Sequence, residues 1–107
     1  MKKNIILSLA LLTASTFAYA KPPTIDYQWK NFDGNKETCL NWAESVLSNN
    51  KFTVSYSNNA TTEVVAHRGD YKAVIACFSD YSLVVFTVAG PDYKTAKSYA
   101  VRFRENF

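Results

Sequence analysis

Tyr71-Lys72-Ala73-Val74-Ile75-Ala76-Cys77-Phe78 is the stretch whose alternation decides the fold. Read with a period of two, it puts Tyr71, Ala73, Ile75 and Cys77 on one side of a strand. Lys72, Val74, Ala76 and Phe78 then fall on the other side. Gly69-Asp70 in front of it reads as a hairpin loop, and Thr61 to Arg68 as the strand entering that loop. Ser79-Asp80 behind it is a turn, and Ser82 to Val88 is a nearly all-apolar strand. Further upstream, Lys51 to Ser57 alternates as well, with Phe52, Val54 and Tyr56 on one face and Thr53, Ser55 and Ser57 on the other. Asn58-Asn59 supplies the turn after it. Short turns between consecutive strands force antiparallel pairing, so these four strands form a meander.

A helix flanks the meander on each side. Cys39, Trp42, Ala43, Val46 and Leu47 recur at helical spacing within Lys36 to Asn49. Asn35 or Asp33 can cap the start, and Asn49-Asn50 can end it. Downstream, Ala89-Gly90-Pro91 breaks the last strand and Asp92 caps a terminal helix. Its stripe is Tyr93, Ala96, Ala100 and Phe103, with Tyr99 and Phe107 beside it, and Lys94, Lys97, Arg102 and Arg104 lie away from it. Each helix has one stripe to bury, and one face of the sheet is the natural surface. The expected fold is therefore α+β: helix, four-stranded antiparallel meander, helix, with both helices on one sheet face.

Cys39 and Cys77 are the two cysteines, so one intramolecular pairing is available. Both fall on core-facing positions, and the pair would tie the first helix to the third strand. No C-x-x-C is present, and apolar surroundings disfavour a reactive thiolate. A structural disulfide is the expectation.

The N-terminus explains why a disulfide can persist. Met1-Lys2-Lys3-Asn4 is a short basic region, Ile5 to Leu12 is apolar apart from Ser8, and Ala18-Tyr19-Ala20 is an A-x-A cleavage site. That order is a signal peptide over residues 1–20, with an apolar run too short to span a bilayer. It places the remainder in the periplasm or outside the cell, in an oxidising compartment. Residues 21–34 form an extended aromatic leader and residues 35–107 one domain. Of 12 Lys and Arg, Lys2 and Lys3 leave with the signal, so the mature chain keeps ten against nine Asp and Glu. A near-neutral domain has no electrostatic footprint for nucleic acid.

Chemistry-bearing residues are scattered. His67 is the one histidine and has no evident catalytic neighbour. It cannot make a metal site with isolated carboxylates, so no metal or cofactor is expected. Asp70 and Asp80 sit in turns at opposite ends of one strand, too far apart for paired-carboxylate chemistry. Asn59-Ala60-Thr61 matches a glycosylation sequon but reads as a turn. The cations of the last helix read as a solvated face.

The second sheet face carries more information. Val74, Phe78, Leu83 and Val85 point away from the helices, and Val65 joins them. Such an apolar patch marks an interaction surface unless something covers it. The leader is one candidate cover, because Ile25, Tyr27 and Trp29 alternate with Asp26, Gln28 and Lys30 as in a short half-buried strand.

A cysteine opening the first helix, Tyr71-x-Ala73-x-Ile75-x-Cys77 in a strand, and Val88-Ala89-Gly90-Pro91-Asp92 before a terminal helix together make a pattern. Over residues 38–107 it resembles a diffuse group of small exported bacterial proteins. The resemblance implies an α+β fold and export, and it carries no active site. The functional expectation is an exported binding protein without catalysis, of envelope-inhibitor or immunity type, whose partner is another envelope or secreted protein. Two other readings stand beside it: a small periplasmic enzyme with a hidden site, and a homodimer packed sheet against sheet. No membrane span is expected after signal cleavage.

Overall fold

The computed structural model describes residues 22–58, 60 and 62–107. The expected signal peptide (residues 1–20), Lys21 of the leader, and the turn and sequon residues Asn59 and Thr61 lie outside them. The elements run β1 (Thr24–Asn31), α1 (Lys36–Asn49), β2 (Thr53–Asn58), β3 (Glu63–Arg68), β4 (Tyr71–Phe78), β5 (Leu83–Gly90) and α2 (Tyr93–Asn106). The fold is α+β, with two α-helices and one antiparallel sheet among the described residues. The sheet has five strands in the order β1-β5-β4-β3-β2, not the four of the expected meander. The added strand is the leader. Tyr27 pairs with Thr87 and Trp29 with Val85, so β1 extends the sheet beyond β5. Its backbone thereby pairs an edge of β5 that would otherwise present unmatched donors and acceptors.

Local signals explain the helix boundaries. The Asn35 side chain accepts a hydrogen bond from the Thr38 N–H at 2.8 Å, and Asp92 does the same for Thr95 at 3.0 Å. Helix α1 lies over β2, β3 and β4, while α2 lies over β1 and β5. Between them sits a core containing Leu47, Val64, Ile75, Val84, Phe86, Val88 and Phe103. Phe107, the last residue, packs edge-on against Phe32, Trp42 and Phe86, joining the β1 exit, α1 and the sheet. Trp42 is half-exposed and reaches this ring cluster from the border of the α1 stripe. Gly90 ends β5 beneath the Tyr71 ring, and a Cβ there would collide with that ring.

Two strands depart from simple alternation. In β2 the register shifts between Val54 and Tyr56. A bulge of this kind reverses the side chains beyond it. Phe52 and Val54 therefore pack on the core while Tyr56 lies half-exposed, so the three do not share one face as the bare period predicts. In β1 the polar residues face the protein. Asp26 is only 8% exposed and accepts from the Gln28 side-chain amide at 3.0 Å and from the Tyr93 hydroxyl at 3.2 Å. Arg104 donates to Gln28 Oε1 at 2.9 Å, and Lys30 Nζ reaches the Arg104 carbonyl. A polar ladder thus joins β1 to α2.

Cys39 and Cys77 are disulfide-bonded, with Cα atoms 6.2 Å apart and both side chains buried. The bond fastens the first turn of α1 to the end of β4. Closing 38 residues of chain is worth about 4 kcal/mol in the chain-entropy picture. That is a large share of the roughly 5–15 kcal/mol by which small domains are stable. Reduction should therefore lower the unfolding free energy by about 3–4 kcal/mol, read as a drop in urea midpoint between oxidised and reduced protein.

The Asp26 carboxylate raises the Tyr93 pKa, first by accepting its hydrogen bond and then by its charge. A raised value means that the contact stabilises the fold below the ordinary tyrosine pKa of about 10 and stops doing so as pH climbs through the folded value. Urea midpoints measured from pH 8 to 11 should fall less steeply for Tyr93→Phe than for the parent chain.

Candidate interaction surface

The sheet has a second face that no helix among the described residues covers, and the cross-strand register shows its layout. One row runs Trp29, Val85, Ala76 and Glu63. The next runs Tyr27, Thr87, Val74, Val65 and Tyr56. A third runs Ile25, Ala89, Lys72 and His67, and a short one joins Asn31, Leu83 and Phe78. Residues directly opposite on neighbouring strands share a face. Val65, Val74, Phe78, Leu83 and Val85 therefore stand on one surface, and Ile25, Tyr27 and Trp29 stand on it beside them.

The leader widens this surface instead of lying over it. Ile25, Tyr27 and Trp29 are 59%, 67% and 58% exposed, whereas Asp26 between them is buried. In an ordinary edge strand the apolar side faces the core and the polar side faces water. In β1 the sense is inverted. Tyr27, Trp29, Leu83 and Val85 alone line a shallow hollow of about 400 Å³. Val65 is nearly buried beneath its neighbours, so it supports the surface more than it presents itself.

Tyr27, Trp29, Tyr56 and Phe78 are each roughly half-exposed. With Ile25, Leu83 and Val85 they leave on the order of 600 Å² of apolar area, reckoned from aromatic side chains of about 150–250 Å² each. That reaches the upper end of the largest patches on ordinary monomers, which are about 300–600 Å².

Polar residues gather toward β3 and β2. The Tyr56 hydroxyl donates to Glu63 Oε1 at 3.0 Å, which raises the tyrosine pKa, chiefly through that hydrogen bond. Ser55 Oγ lies 3.0 Å from His67 Nδ1, a contact that crosses the β2 bulge. Periodicity alone does not announce it, because alternation assigns faces but not the cross-strand register that brings Ser55 beside His67. A serine and an imidazole within hydrogen-bond reach are the beginning of a nucleophile and base. Among the described residues no third group orients the ring, and both side chains are exposed at the sheet's edge. Asp70 and Asp80 stand at the two ends of β4, as their turns imply. Among the described residues no cluster of three His, Cys, Asp or Glu side chains could hold a metal ion. No helix among them is long and apolar enough to cross a membrane.

No family model matches the chain, and no curated protein matches its sequence.

Proposed function

We propose that this chain is an exported interaction protein without a catalytic role, which docks another protein through the outer face of its sheet. The inverted edge strand carries the reading. Strand β1 buries an aspartate and half-buries a glutamine and a lysine on its α2 side while it holds out Ile25, Tyr27 and Trp29. Exposing three large apolar side chains beside Leu83 and Val85 works against folding and solubility. Removing that surface from water on contact with a partner recovers the cost. Aromatic anchors around an apolar hollow are also the composition of interface hot spots. An envelope inhibitor or an immunity-type protein works by such docking.

A specific observation favours a second reading, in which the docked protein is another copy of this chain. Strand β5 lies midway between β1 and β4. A twofold axis running along β5 would lay β1 of one copy over β4 of the other at the same row. Trp29 then meets Ala76, and Tyr27 meets Val74, so large side chains fall on small ones. This is the aligned sheet-on-sheet packing of sandwich cores. The apolar area approaches the roughly 800 Å² per partner of a stable interface.

The Tyr27→Lys/Trp29→Lys double variant tests both. Its residues are exposed, so the urea midpoint should move by no more than the equivalent of about 1 kcal/mol. Sedimentation velocity on the mature parent chain separates the two readings. A dimer that the variant abolishes identifies the docked protein as a second copy. A monomer that binds one exported protein at fixed stoichiometry, reconstituted from purified components and lost in the variant, identifies a different partner. A parent chain that is monomeric and whose binding the variant leaves unchanged overturns the proposal.

A further inference from the structure

On the helix side of the protein, away from the outer sheet face, two arginines meet one tyrosine. The guanidinium carbons of Arg68 and Arg102 lie 5.5 and 6.0 Å from the Tyr99 ring centroid. Arg68 comes from the end of β3 and Arg102 from the middle of α2, so the tertiary fold brings them together. The ring they meet is well held. It stacks nearly parallel to Phe103 and meets Phe52 and Tyr71 edge-on at 4.9 and 5.5 Å. Arg68 is anchored further, since it donates to the Asn50 carbonyl at 3.0 Å.

Both arginines open onto a hollow of about 320 Å³ whose other lining residues are Lys94, Thr95, Ser98 and Tyr99. No carboxylate lines it. Among the described residues none forms an ion pair with Arg68, Lys94 or Arg102. Of the neighbouring acids, Asp92 accepts from the Thr95 N–H and hydroxyl at 3.0 and 2.7 Å, and Glu105 lines an adjoining hollow that shares Lys94, Ser98 and Arg102 without an ion pair to either cation. Three exposed cations and the Ser98 hydroxyl thus line one hollow in a domain that is near-neutral overall. Convergent like charges repel, and they are at ease once an anion stands between them.

We infer that this hollow binds a phosphate-class oxyanion. The ring contacts hold the guanidinium planes before a ligand arrives, which lowers the ordering cost of binding. Guanidinium forks match the paired oxygens of such groups. A carboxylate offers two oxygens and one charge, whereas a phosphate monoester offers three oxygens and nearly two charges. Lys94 adds a third positive contact as a point charge.

The test is titration of the oxidised mature chain with inorganic phosphate at constant ionic strength, followed by NMR shifts of the arginine side chains and the Ser98 amide. Saturable shifts should appear at Arg68, Ser98 and Arg102. Arg102→Gln removes an exposed side chain with no backbone contact, and it should weaken binding about tenfold, the equivalent of one charge-assisted hydrogen bond. Lys72→Gln, on the opposite face of the sheet, should leave it unchanged. Vesicles of phosphatidylglycerol in phosphatidylcholine separate the sources. Retention that Arg102→Gln abolishes identifies a lipid headgroup, and saturable phosphate binding without vesicle retention identifies a free oxyanion. Linear shifts spread over all basic residues, equal for phosphate and chloride and indifferent to Arg102→Gln, would overturn the inference.

Discussion

The pairing of β1 with β5 is the constraint on which the outer surface depends. Antiparallel register leaves a strand no freedom to choose its face: once Asp26 is opposite Val88, Tyr27 is opposite Thr87. A slip of one residue would turn every side chain over. It would place Ile25, Tyr27 and Trp29 beneath α2 and put Asp26 and Gln28 in water. Judged by hydrophobic burial alone, that slipped arrangement has the advantage. What opposes it is the polar ladder of Tyr93, Arg104 and Lys30 on the helix side. Those contacts come from α2, whose own stripe of Ala96, Ala100 and Phe103 is satisfied by the rest of the core. Small residues in that stripe let the helix sit close to the sheet, which leaves little room for a tyrosine or tryptophan from β1.

The disulfide serves a different half of the molecule. Helix α1 covers β2, β3 and β4, and its bond to Cys77 fixes it there. Helix α2 covers β1 and β5 and is held by side-chain hydrogen bonds and by Phe103 and Phe107. The covalent tie and the polar ladder are therefore complementary fasteners on the two halves of one sheet. Phe107 bridges them, since it touches Trp42 of α1 and Phe86 of β5.

Much of this was legible in the residues, and the rest was hidden for physical reasons. Both helices could be bounded because Asn35, Asn50 and Asp92 are local signals that act within a turn or two. The Cys39–Cys77 bond followed from two stripes and the absence of any other pairing. The alternation of β4 separated its two faces correctly. The position of β1 was not legible, because alternation states that a strand has two faces without saying which one a neighbour will cover. Its apolar side reads as the inner side by default, and only the tertiary contacts of Asp26 reverse that. The β2 bulge was invisible for a related reason: Thr53 to Asn58 keeps a clean period of two straight through the register shift. Arg68 and Arg102 are 34 residues apart in the chain, and nothing local announces that they meet one ring.

The outer face and the core can vary independently because the sheet is one layer thick. Val85 and Phe86 are adjacent in the chain, yet Phe86 is wholly buried between sheet and helices while Val85 lines the open hollow. Replacing Phe86 would cost a cavity of about 3–5 kcal/mol. Replacing Val85 changes the outer surface and leaves the packing beneath it intact. A fold stapled on one side can therefore carry different partner surfaces on the other without losing its stability. This is why the inverted strand carries the proposal: among the described residues Tyr27 and Trp29 stay largely exposed, and their apolar bulk fits the docking role proposed above.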